Sequence, residues 1–282
     1  MSTTSPPRPV VDGHRVRAVQ LRPWSTAAVV MSSVVGLLAF GWPLLISPEM
    51  ASEHSADAPL VLALLLPFVL AVVLAEVAEG GLDVKAVAML GVLSAVGAIL
   101  RPMGAGTAGV ETVFFLLVLA GRVFGPGFGF VLGTTTLFSS ALLTAGVGPW
   151  LPFQMLGAAW VGLGAGLLPR ARGRAEIALL AGYGALAALL YGVALNFAFW
   201  PFTVQGESAI TFVPGAPALE NLQRFLVYSV STSLGWDIGR ALTTVLLVCL
   251  TGRAVLGALR RASRKAAFDA QGRFEGPQDQ PG

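Results

Sequence analysis

Seven side chains able to bind or pair sit within or at the ends of apolar stretches: Arg101, Glu111, Gln154, Asn196, Trp236, Asp237 and Arg240. An ionisable residue in hydrocarbon costs about 2.5–3.5 kcal/mol on insertion scales unless it is paired, so such positions carry information. Asp237 and Arg240 are three apart and share one helical face, where they can pair with each other or meet a ligand together. Gln154 and Asn196 can hold neighbouring helices together or bind a solute through the same hydrogen bonds. Arg101 can equally snorkel to headgroups, and Trp236, like Trp150 and Trp200, can anchor a helix at the interface.

The chemistry on offer is recognition of a polar solute rather than bond making. There is no G-x-x-x-x-G-K-[ST] loop, no H-E-x-x-H and no G-x-S-x-G. Carboxylates are too scattered for a two-metal centre. His14 and His54 lie outside the apolar runs, and Cys249 is single, so neither an intrachain disulfide nor a Cys-rich metal site is expected. No catalytic residue, metal or cofactor is assigned.

The elements that position these residues follow from composition. Of 282 residues, 55% are hydrophobic and 12% charged, about half the charge that a soluble domain carries. Lipid must therefore be the solvent for much of the chain. The net charge of +3 comes from short clusters at segment ends, a topology signal rather than a nucleic-acid stripe. A span needs about 20 apolar residues, and eight segments approach this: 24–46, 59–78, 86–100, 109–124, 127–145, 151–168, 176–200 and 234–256. The run after Arg22 lacks a cleavage site and reads as the first span, not a signal peptide. Expected is an all-α polytopic bundle: a tail (1–22), an N-terminal hairpin (23–80), a six-helix core (85–258) and a basic, then Gly/Pro/Gln-rich tail (259–282).

Arg8, Arg15, Arg17 and Arg22, then Arg170, Arg172 and Arg174, then Arg253, Arg260, Arg261, Arg264 and Lys265 fall on one side of eight crossings. That side is the cytoplasm, with both termini inside. Arg101, Glu111, Gln154, Asn196, Asp237 and Arg240 then share the outer third, an outward-facing polar pocket edged by Trp150, Phe153, Trp200 and Trp236. The loop 201–219 over it is either a lid or a connection, and 219–233 is an outer helix or an extension of the last span. Threonines 134–136 are expected to bond back to the preceding turn. No carboxylate stands near the midplane for ion coupling, so uptake would need an energising partner.

The runs KAVAMLGVLSAVGAILRPMGAG, VETVFFLLVLAGRVFGPGFGFVLG, GVGPWLPFQMLGAAWVGLGAGLLP and GWDIGRALTTVLLV resemble the substrate-binding S components of energy-coupling factor (ECF) vitamin transporters. The stretch 121–129 matches that family's G-x-x-x-G-P-x-x-G connection. In its extended form the chain looks most like the actinobacterial, predicted cobalamin-type branch. The resemblance implies a six-helix core that captures a vitamin at the outer face of a bacterial cytoplasmic membrane. It also implies partners: a transmembrane T component and two ATPases. Gly91 and Ala95, with Ser94 and Ala98 beside them, have the small-residue spacing through which family members meet the T component, or pack within their own chain. A membrane enzyme acting on a lipid head group and a stand-alone facilitator are the rival readings.

Overall fold

A computed structural model describes residues 23–45, 71, 75, 84–104, 107–204, 206 and 208–266. The described residues are mostly helical, with no strand among them. The order is α1 (Pro23–Phe40), a 3-10 turn (Trp42–Leu44), α2 (Val84–Met103), α3 (Val113–Phe124), α4 (Pro126–Leu143), α5 (Leu151–Leu167), α6 (Gly173–Thr203), α7 (Ala218–Tyr228), a π turn (Ser229–Ser233) and α8 (Leu234–Ala266). The expected span 59–78 lies outside the described residues, Ala71 and Ala75 apart.

Among the described residues, five helical stretches are long and apolar enough to cross a membrane: α1, α2, α4, α6 and the continuous rod Ala218–Lys265. The rod makes 219–233 an extension of the last span, because α7 passes through the π turn into α8 without a break. In that turn Ser231 and Thr232 donate their hydroxyls to the Tyr228 carbonyl, at 3.2 and 2.7 Å. Such back-bonding bends helices.

Helix α3 has 12 residues, about 18 Å at 1.5 Å each, too short for a bilayer core of about 30 Å. It survives because its neighbours enclose it. Ten of those residues are buried, and α3 packs on α4, α5, α6 and α8. Around this axle α4 packs on α5, α6 on α8, and α2 on α4, while α1 leans on α5 and α6. The closest approach is backbone to backbone. A Cβ on Gly129 of α4 would collide with the Gly162 carbonyl oxygen of α5, so only glycine lets these helices touch there. Pro126 in the first turn of α4 sets the helix going just after Gly125, whose φ of 96° turns the chain. Thr134 and Thr135 return their hydroxyls to Phe130 and Val131, as expected, but the buried Thr136 hydroxyl does not, and has no hydrogen-bond partner among the described residues.

Two outer-belt expectations do not hold. Trp200 and Phe153 are buried. Trp200 anchors a cluster with Phe212 and Phe225, at 5.4 and 5.6 Å between rings, and Phe153 sits edge-on between Phe40 and Phe199, at 5.1 Å from each. Both fall on inward helical faces, which linear depth along the chain does not reveal.

Candidate functional site

The helices alternate in direction, so two ends of the bundle can be told apart. One end gathers most of the seven polar residues. Arg101, in the last turn of α2, reaches α4 and α5: one nitrogen donates to Gln154 Oε1 at 3.0 Å and another to Ser140 Oγ at 3.4 Å. Glu111, just before α3, accepts from Arg240 Nε at 2.5 Å. The same guanidinium donates through Nη1 to Asp237 Oδ1 at 2.8 Å and to the Ala188 carbonyl at 3.4 Å. It also stands over the rings of Tyr191 and Phe114, 5.3 and 5.9 Å from their centroids.

Arg240 is thus fixed by two carboxylates, a carbonyl and an aromatic box. The side chains of Glu111, Asp237 and Arg240 are 19%, 4% and 15% exposed, and burial strengthens each pairing while making a lone partner costly. Gly192 makes room for the pair, since a Cβ there would collide with Asp237 Oδ1. A glycine in the middle of a long helix is accounted for by its neighbour's carboxylate.

Between these groups lies a cavity of about 360 Å³, within the range of small-ligand sites. Arg101, Glu111, Ser140, Thr144, Trp236 and Arg240 contribute to its wall, with Trp150 at the rim. Trp150 and Trp236 are each nearly half exposed. The loop before α3 closes one side. Ala108 and Gly109 adopt positive φ there, and their backbone rests against Trp236 and Gly239 of α8.

Six of the seven expected residues therefore converge. Arg101, Glu111, Trp236 and Arg240 stand in the wall, with Asp237 holding Arg240 and Gln154 steadying Arg101. Asn196 does not line the cavity; it lies half-buried on α6, one turn beyond Gly192. Ser140 and Thr144, four apart on α4, are additions that the sequence does not mark, because hydroxyls that can satisfy their own helix give no burial-cost signal. No described residue of the loop between α6 and α7 lines the cavity. That loop is tied down as a connection: Asn221 exchanges both amide groups with the Val213 backbone, Trp200 Nε1 donates to Ile210 O, and Arg224 donates to Ser208 O.

The small residues of α2 divide between two faces. Ser94 and Ala98 are buried, with Ser94 sharing a 2.7 Å hydrogen bond with Thr135 of α4. Gly91 and Ala95 are exposed, and among the described residues nothing stands within 4 Å of a Cβ placed on Gly91. A partner can reach only the second pair.

The opposite end holds a second ionic cluster, one outside the sequence expectations. Arg122, 5% exposed, donates Nε to Glu176 Oε1 at 2.8 Å and caps the carbonyls of Leu168, Pro169 and Ala171. Arg260 Nη2 donates to both oxygens of Glu176, at 2.7 and 2.8 Å. In the sequence Glu176 marks only the start of a span; its signal is that it follows the basic stretch 170–174 as a lone acid. Among the described residues no group of three or more potential metal ligands occurs.

Comparison with curated proteins and with solved structures gives no match. The family model described as the substrate-specific component of ECF transporters matches residues 85–257, which spans α2 to α8 and every residue of the cavity. With a helical bundle, a small polar cavity at one end and this match over more than half its length, the chain belongs to the substrate-specific component family of ECF transporters.

Proposed function

We propose that the 360 Å³ cavity is the capture site for a water-soluble, vitamin-class micronutrient, with uptake driven by a separate T component and ATPases. The observation that carries this reading is the charge arrangement around the cavity. Arg240 is matched by Glu111 and Asp237, whereas Arg101 meets only neutral groups in the contacts described, Ser140 and Gln154. A guanidinium so held keeps its charge available to a carboxylate, phosphate or amide carbonyl of a ligand. Trp150 and Trp236, half exposed beside it, offer faces on which a flat group can stack.

The volume favours a ligand enclosed whole, such as a single-ring or two-ring vitamin. A cobalamin-type ligand, the branch the extended chain resembles, would seat only one edge here and lie over the tryptophans. The cavity end is assigned to the outside. Lys85, Arg122, Arg170, Arg172, Arg174, Arg260, Arg261, Arg264 and Lys265 all fall at the other end, which supports a cytoplasmic position for them. The outward face of α2 around Gly91 and Ala95 suits close approach of a helix from the T component.

Native mass spectrometry with a visible absorption spectrum, on protein purified in detergent from its own host, tests the reading. A retained vitamin names the substrate, and a corrinoid would announce itself by colour. A ligand-free protein that brings down no ATPase would sink the proposal and favour a membrane enzyme.

A further inference from the structure

The end opposite the capture cavity holds a concavity of about 500 Å³, between the end of α3, the α5–α6 turn, the start of α6 and the end of α8. Five arginines line it, Arg122, Arg170, Arg172, Arg260 and Arg264, against one acid, Glu176. Two of the five are committed. Arg122 uses its donors on Glu176 and on the carbonyls of Leu168, Pro169 and Ala171, so it shapes the turn that carries Arg170 and Arg172. Arg260 holds the other side of Glu176. Arg170, Arg172 and Arg264 make no ion pair among the described residues.

Membrane topology requires positive charge at this end, but not that residues from three separate parts of the chain gather around one hollow. Like charges repel when gathered, and a resident anion removes that penalty. We infer that this hollow binds the phosphodiester headgroup of an anionic phospholipid. Guanidinium forks match phosphate oxygens two at a time. The site stands where the apolar helices end, and Leu167, 67% exposed, and Val123 in the wall offer apolar surface beside the arginines. A free phosphate would have no use for that surface; a lipid has.

The experiment uses the full chain in mixed nanodiscs of phosphatidylglycerol and phosphatidylcholine, with lipids retained after release counted by native mass spectrometry. Melting is followed in parallel with added phosphatidylglycerol or with inorganic phosphate. Wild-type protein should retain phosphatidylglycerol preferentially and melt higher with it. The R170Q/R172Q/R264Q variant spares the buried Arg122–Glu176–Arg260 bolt and should lose that preference by at least tenfold, given the attraction each basic residue contributes near an anionic surface. R101Q, at the far end, should keep it. Equal retention of the two lipids by wild-type protein would overturn the inference, and this arm does not depend on the variant folding. So would unchanged retention by the triple variant, or an equal rise in melting with inorganic phosphate, which would mark a soluble-anion site.

Discussion

The two ends of the bundle use the same three-group ionic device with opposite signs. At the cavity end one arginine, Arg240, sits between two carboxylates, Glu111 and Asp237. At the other end one carboxylate, Glu176, sits between two arginines, Arg122 and Arg260. The difference lies in what each cluster leaves over. Arg122 directs its remaining donors at the backbone of the α5–α6 turn, so its cluster is a fastening. Arg240 stands in the wall of a cavity, with Arg101 in the same wall on neutral partners, so that cluster borders open space instead of a turn, as the proposed capture role requires. A buried ion pair by itself indicates neither stability nor function; the neighbouring groups decide which.

The largest effect should come from breaking the fastening. Glu176→Ala leaves Arg122, almost fully buried, facing no charge, at about 3–5 kcal/mol. The expected outcome is a sharp fall in melting temperature and in monodisperse yield from detergent; a near-native melt would show that the two ends do not differ as described. Next, the double variant D237A/R240A should weaken ligand binding at least tenfold while inserting normally, because it takes the guanidinium and one of its two carboxylates out together and leaves Glu111, 19% exposed, at the open cavity. Unchanged affinity in a titration followed by tryptophan fluorescence would remove these residues from the site. Gly192→Ala forces a methyl against Asp237 Oδ1 and should cost about 1–3 kcal/mol through overpacking, lowering affinity and melting temperature together.

Arg101→Gln sharpens the contrast between the ends further. Its partners are neutral, so melting should shift little while affinity drops by about tenfold, as for loss of one charged hydrogen bond. Equal loss of both would make Arg101 a fastening too. The smallest effect is expected for Asn221→Ala. It frees the Val213 backbone and should loosen the α6–α7 loop to proteolysis, with affinity within about twofold because that loop lies away from the cavity. A large loss of binding would restore the loop as a lid.

Much of the candidate site is legible in the amino-acid sequence, for a specific reason. Arg101, Glu111, Asp237 and Arg240 are charged groups in apolar runs, and the desolvation penalty makes each conspicuous. The helical period then places Asp237 and Arg240 on one face. The same reasoning misplaces Trp200 and Phe153, which have the chemistry of a rim but face inward into aromatic packing. It misses Ser140 and Thr144, whose hydroxyls can satisfy their own helix. It also treats Ser94, Ala98, Gly91 and Ala95 as one surface, although Ser94 and Ala98 are buried.

By itself, then, the sequence determined an all-helical membrane protein, the approximate positions of its described helices and the gathering of most of its polar groups toward one end. These depend on composition and local period, which act along the chain. Only the tertiary structure decided partners: that Glu111 and Asp237 share one arginine, that Arg101 rests on neutral groups, and that Glu176 joins three elements. Pairing depends on which faces meet. In a bundle where glycines such as Gly129, Gly162 and Gly192 let backbones and buried carboxylates approach closely, a small change in rotation or spacing would exchange one partner for another.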